Sequence, residues 1–214
     1  MAKRNYQKEM EKIISEEERR GHVPSLLLHS CCAPCSSAVL EKLTDHFRIT
    51  ILYYNPNISP QEEYEKRVEE LKHLLAELPQ KYPVRLIEGE YEPAQFYDAV
   101  KGLEQIPEGG ERCFACYRLR LEEAATYAAK LGSDYFTTTL TISPLKNTVK
   151  LNEIGEELAE KYGVNCLPSD FKKKDGYKRS IELSAEYGLY RQDFCGCLFS
   201  KREAELRRER KENG

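Results

Sequence analysis

A chain of 214 residues with 33 Lys and Arg against 36 Asp and Glu carries a formal net charge of -3, which excludes a polybasic binder and leaves any affinity for phosphate to local patches. Length and an apolar content of 40% suffice for one ordinary core, so residues 1–214 are expected to form a single α/β domain that needs no covalent staples. The opening Met-Ala-Lys-Arg-Asn-Tyr is not an apolar leader, and no run approaches the ~20 apolar residues of a membrane span, so a cytoplasmic protein with reduced thiols and no membrane partner is expected.

Residues 1–22 read as an N-terminal helical arm. The apolar run 25–30 is a first buried strand, followed by a loop over 31–37 and a helix over about 36–43. A second strand over 48–54 ends in the turn Asn55-Pro56-Asn57, and Pro60 opens a long charged helix over 61–78, where a proline in the first turn withholds no needed donor. A third strand follows at 84–87, a short helix at 96–101, and an exposed loop at 102–111 that could close as a lid. Arg118, Leu119, Leu121, Ala124, Ala125, Ala128 and Leu131 recur at helical spacing up to Gly132. A fourth strand at 134–139, a turn at Ser143-Pro144, a helix at 147–162 and a fifth strand at 164–167 complete the alternation, and helices at 180–187 and 200–210 close the chain. Such alternation predicts a Rossmann-like, doubly wound parallel sheet of about five strands with a C-terminal helical extension, the basic helix of 200–214.

Seven of the eight cysteines fall in three tight groups: Cys31, Cys32 and Cys35; Cys113 and Cys116; Cys195 and Cys197. Soft sulfur donors that must converge on a metal need this kind of clustering. A disulfide framework does not suit a chain of this kind, and one tetrahedral zinc has no use for so many thiols, so the donor set points to iron and sulfur. Cys166, alone, reads as a small hydrophobe on a strand. Cys113 and Cys116 stand at a helix start, where the dipole is expected to favour thiolate. The loop after the first strand contains no glycine, so neither ATP nor NAD is expected there. Sites in an open parallel sheet form beyond the carboxyl ends of the strands, which puts the Cys31 loop, the Asn55-Pro56-Asn57 turn and residues 139–144 on one rim. His29, at the first strand's end, reads as a satisfied core histidine. Lys172, Lys173, Lys174, Lys178 and Arg179, with the tail residues Arg207, Arg208, Arg210 and Lys211, make the basic patches, and nearby Tyr177, Tyr187 and Tyr190 could stack on a base.

Together, His29-Ser30-Cys31-Cys32-Ala33-Pro34-Cys35, Asn55-Pro56-Asn57-Ile58-Ser59-Pro60 with Glu63-Tyr64, Arg112-Cys113 to Cys116-Tyr117-Arg118, Thr137-Thr138-Thr139-Leu140 with Ser143-Pro144, Asp170-Phe171-Lys172-Lys173 with Gly176-Tyr177-Lys178-Arg179-Ser180, and Tyr190-Arg191-Gln192 with Phe194-Cys195-Gly196-Cys197 form a pattern. It runs from about Leu27 to Ser200 and resembles the cobalamin-independent epoxyqueuosine reductases. The resemblance implies reduction of epoxyqueuosine to queuosine at the wobble position of tRNA, the last step of queuosine synthesis, on a fold similar to the HUP-type tRNA-thiolating enzymes. It further implies a [4Fe-4S] cluster with an additional mononuclear iron, no cobalamin, and an electron donor of ferredoxin or flavodoxin type.

On this reading Cys113 and Cys116 hold the cluster with Cys195 or Cys197, and Cys31, Cys32 and Cys35 hold the second iron or complete the cluster; Asp170 or Asp193 could be a further ligand. Protons would come from Tyr117, Tyr177 or Tyr190. Arg112, Arg118, Lys172, Lys173, Arg179 and Arg191 would hold anticodon-loop phosphates. The competing readings are an iron–sulfur tRNA-thiolating enzyme, which would need ATP, and a zinc-stabilised RNA-binding module.

Overall fold

The computed structural model describes residues 4–212. Five strands, β1 (Ser25–His29), β2 (Arg48–Tyr53), β3 (Arg85–Glu88), β4 (Tyr135–Thr138) and β5 (Asn165–Cys166), form one sheet in the order β3-β2-β1-β4-β5. Every neighbouring pair is parallel. The chain winds outward from β1 to β3, then returns to place β4 on the other side of β1, so the crevice of this topology opens between the carboxyl ends of β1 and β4.

Alternation along the strands sorts the core into two layers. Leu26 and Leu28 of β1 and Ile49, Ile51 and Tyr53 of β2 pack with α1 (Tyr6–Arg19), α2 (Ala33–Leu43) and α3 (Gln61–Glu77), and α7 (Gly176–Glu186) joins this side through Leu183. Leu27, Leu52 and Phe136 face the other way, onto α5 (Glu111–Leu131) and α6 (Thr148–Tyr162). Each fully buried aliphatic side chain in these layers contributes roughly 1.5–3 kcal/mol. No helix among the described residues is long and apolar enough to cross a membrane.

The expected elements stand, with shifted ends. α2 starts at Ala33 rather than at 36, because Pro34 fits the first turn and lets the helix begin directly after Cys32. α4 spans Pro93–Ala99, again on an early proline, and α7 begins at Gly176. β5 pairs over only two residues, shorter than its apolar run. A single 3-10 turn, Thr139–Ile142, follows β4, and α8 covers Leu198–Glu212. The arm is not an appendage: Met10 and Ile14 of α1 lie in the first core layer, although residues 1–3 fall outside the described residues.

His29 is the structural residue that its position suggests. Its Nε2 donates to the Tyr54 carbonyl at 3.1 Å, leaving Nδ1 to accept from the Thr138 hydroxyl at 2.9 Å. Burial pushes its pKa down to about 4, so a neutral ring ties the ends of β1, β2 and β4 together.

Candidate metal centre

Beyond β1 the backbone is pinned before it reaches the thiols. The Asn55 amide donates to the Ser30 carbonyl at 2.8 Å, and the Ser30 and Ser36 hydroxyls meet at 2.7 Å. The chain then passes through extended Cys32 into α2, which gathers Cys31, Cys32 and Cys35 so that their Sγ atoms lie within 4.8 Å of one another. Thr139, at the end of β4, donates to Cys31 Sγ at 3.5 Å. Within the triad, hydrogen bonds from Cys31 and Cys35, helped by the nearby Arg67 charge, lower the Cys32 pKa and favour its thiolate; contacts with Cys31 and Cys32, with burial after them, raise Cys35.

A second group forms where α5 meets the segment before α8. Cys113 and Cys116 stand in the first two turns of α5, and the Gly109 amide donates to Cys113 Sγ at 3.3 Å. Cys195 and Cys197 reach them because their segment is anchored from both sides: Arg67 Nη1 donates to the Cys195 carbonyl at 3.0 Å, and the Ser59 amide donates to the Gly196 carbonyl at 3.0 Å. Cys113, Cys116, Cys195 and Cys197 line one gap, shared with Asn57, Tyr117 and Arg120. The expectation that the helix start makes Cys113 and Cys116 thiolates is corrected here. Burial raises both and pushes Cys116 up to about 12, so metal binding at this group must release protons.

The two groups adjoin. A cavity of about 160 Å³ is lined by Cys31, Cys32, Cys35, Lys146, Tyr177 and Arg191 among others, and Cys195 lines both this cavity and the gap. Three cations of the cavity and the gap, Arg67, Lys146 and Arg120, were not singled out from sequence. Arg67 is buried beside Glu63 at 2.7 Å, half-buried Lys146 brings Nζ to 3.2 Å from Cys195 Sγ, and Arg120 is buried with Nε on the Cys116 carbonyl at 3.2 Å. Burial works against the charge on Lys146, yet Cys195 and Tyr117 outweigh it and hold the ammonium above the ordinary lysine range. A signal for two of them did exist. Arg67 falls among Tyr64, Val68 and Leu71, and Arg120 among Tyr117, Leu121 and Ala124, so each is a cation on a helix's apolar stripe. Among the described residues, Asn57 Oδ1 and Nδ2, Tyr117 Oη and Arg120 Nη2 are buried without a hydrogen-bond partner, and all three residues face the gap.

The remaining expected site residues separate. Tyr117 lines the gap, while Tyr177, Arg191 and Asp193 line the cavity; Tyr190 pairs with Glu63 at 3.2 Å. Asp170 lines neither: it is buried in ion pairs with Lys172 at 2.9 Å and Lys173 at 3.8 Å, which also engages those two lysines. Arg112 is buried, with its guanidinium on Glu203 at 2.8 Å and on the Glu104 carbonyl at 3.0 Å, so it braces the loop before α5 and does not face solvent phosphates. Arg118 pairs with Glu157, and Arg179 pairs with Glu41 at 2.7 Å and Glu182 at 3.3 Å. Cys166 sits on β5 against Gly155, away from both groups.

Comparison with known proteins gives a consistent picture. The family model described as "Epoxyqueuosine reductase QueH" matches residues 26–203. The chain is 47% identical over 200 residues to the epoxyqueuosine reductase QueH of Staphylococcus epidermidis, covering 92% of this chain and 84% of that protein. To the protein of the same name from Streptococcus pyogenes it is 42% identical over 198 residues, 92% of this chain and 78% of that one. The Thermotoga maritima relative is 38% identical over 197 residues, 87% of this chain and 97% of its own length.

Proposed function

The chain belongs to the epoxyqueuosine reductase QueH family, and we propose that its thiol-lined rim performs that reduction on epoxyqueuosine at the wobble position of tRNA, leaving queuosine. It is an oxidoreductase of queuosine biosynthesis, which sets aside the thiolation and zinc-module readings. The observation that carries the site assignment is the donor set: seven thiols in two adjoining groups, joined at Cys195, among buried cations and partnerless donors.

Such a set fits an anionic iron–sulfur group. Thiolates neutralise buried cations, and inorganic sulfur accepts hydrogen bonds from donors that the protein leaves open. Cys113, Cys116, Cys195 and Cys197 would hold a [4Fe-4S] cluster, and Cys31, Cys32 and Cys35 the additional iron. When bound, these groups supply electrons singly and a Lewis-acid position for the oxygen. A one-electron donor of ferredoxin or flavodoxin type suits that chemistry.

Removing an epoxide oxygen as water consumes two electrons and two protons. On this reading Tyr177, which lines the cavity and is 38% exposed, would hold a proton for the developing alkoxide, and the buried hydroxyl of Tyr117, near Cys113 and Cys195, would be a second reservoir. A space of about 160 Å³ is smaller than pockets for whole drug-sized ligands, which start at roughly 300 Å³. It therefore admits the reacting ring and leaves the rest of the nucleotide at the mouth, where Arg191, set over the Tyr177 ring at 6.0 Å, can meet a phosphate.

The test is an iron and acid-labile sulfide assay on anaerobically purified protein, followed by incubation with epoxyqueuosine-containing tRNA and dithionite. Labile sulfide, iron in excess of it and formation of queuosine are expected. Cys113→Ser and Cys197→Ser should lose labile sulfide, whereas Cys35→Ser should lose iron and keep sulfide. Full iron, sulfide and turnover in all three variants would remove the assignment.

A further inference from the structure

One buried charge stays unexplained after the thiols are assigned. Arg120 is 1% exposed and, among the described residues, makes no ion pair; its Nε reaches a carbonyl and its Nη2 reaches nothing. The other buried arginines differ, since Arg67 faces Glu63 at 2.7 Å and Arg112 faces Glu203 at 2.8 Å. An uncompensated buried guanidinium costs several kcal/mol, so its position calls for an anion. Arg120 lines the gap of the four thiols; burial opposes its charge, and Cys116, Cys195 and Cys31 are all near enough to favour it.

Asn57 makes the same point independently. It follows β2, far along the chain from α5, and is 2% exposed, yet neither Oδ1 nor Nδ2 finds a partner among the described residues. It lines the gap that Cys113, Cys116, Cys195, Cys197 and Arg120 share. Donors from two separate elements therefore converge, without acceptors, on four thiols.

We propose that Arg120 and Asn57 are positioning residues for the iron–sulfur group: they donate hydrogen bonds to its sulfur atoms, Arg120 also supplies its counter-charge, and together they raise its reduction potential. The inference rests on the reading of the Cys113 group as the cluster site. Each added electron makes that site more negative, so a fixed cation and sulfur-directed donors stabilise the reduced form more than the oxidised one. Without them a mild one-electron donor would leave the site oxidised.

The experiment compares wild-type protein with Arg120→Met, Arg120→Lys and Asn57→Leu. Iron and labile sulfide are measured per chain, and the midpoint potential is read by electron paramagnetic resonance during an anaerobic dithionite titration with mediators. At the wild-type midpoint, the ratio of reduced to oxidised cluster should fall about tenfold in Arg120→Met, a shift of about 59 mV for one electron. Arg120→Lys should fall less because the charge remains, and Asn57→Leu should also shift downward. Replacing partnerless polar atoms by an apolar side chain of similar size is close to neutral for folding, so Asn57→Leu keeps the comparison available if Arg120→Met does not fold. Variants with wild-type iron and sulfide and an unchanged midpoint would overturn the inference and leave the cluster assignment standing. A wild-type protein without labile sulfide would overturn that assignment, and the inference with it.

Discussion

At the scale of single residues the site depends on backbone as much as on sulfur. Gly196 has φ +125°, and a Cβ there would lie 2.8 Å from Ile58 Cγ1 and 3.2 Å from Arg67 Nη1. Gly196→Ala should therefore cost about 1–3 kcal/mol and move Cys195 and Cys197 out of reach of α5, read as a lower melting temperature together with reduced iron content. Arg191 is a different case, since it lines the cavity mouth and its guanidinium is otherwise spent on the Ser180 carbonyl at 3.3 Å and the Ser184 hydroxyl at 3.2 Å. Arg191→Ala should raise KM for tRNA with unchanged iron content and reduce the salt dependence of binding by about one phosphate's worth; an unaltered KM and salt slope would remove the contact. The thiols were legible because cysteine pairs and triplets are rare and chemically specific. Asn57 stands on the expected rim only as part of its turn, Arg120 is marked only by its place on an apolar stripe, and Lys146 by nothing, because a lone polar residue gains its role from neighbours that the fold supplies.

At the scale of elements, two helices that sequence left as extensions prove to be structural. In α1, apolar positions are sparse; Tyr6, Met10 and Ile14 recur at i, i+4 and i+8, and only the sheet shows that this stripe is buried in the core. The same helix is fastened to β4 by Glu17, which lies 2.8 Å from His22 Nδ1 and accepts from the Tyr135 hydroxyl at 2.9 Å. The His22 contact first, and the Tyr135 hydroxyl with it, lower the Glu17 pKa below its ordinary value of 4.5. Unfolding returns the group to that value, so the unfolded chain takes up the proton first: the stabilisation is complete above pH 4.5 and is lost as pH falls below it. Glu17→Gln should flatten this part of the melting-temperature profile between neutral pH and about pH 3. In α8, Glu203 accepts the Glu108 amide at 3.1 Å as well as the Arg112 guanidinium, and Arg207 reaches Glu108 at 3.5 Å. Glu203→Ala leaves Arg112 buried without its anion, and a loss of roughly 2–4 kcal/mol with faster amide exchange over residues 102–110 is expected, somewhat less than for a fully buried pair because Glu203 is partly exposed.

At the scale of the whole molecule, the fold was the most legible part, since alternating apolar runs and amphipathic segments leave few topologies besides a parallel sheet. The crevice was legible for the same reason: the strand order places the β1 and β4 loops side by side. What sequence could not give was how seven thiols divide, because that depends on the approach of residues 195–197 to the start of α5 across most of the chain. All seven lie beyond the strands rather than in them, so removing metal with an anaerobic chelator should leave far-UV circular dichroism unchanged while proteolysis increases within 102–111 and 189–197; a collapse of the strand signal would contradict that separation. The same arrangement fixes an order of events during synthesis. β5 ends at Cys166, so every strand of the sheet is synthesised before Cys195 and Cys197. A chain made only as far as β5 holds half of the four-thiol group, Cys113 and Cys116, so iron that met it then would find incomplete ligation.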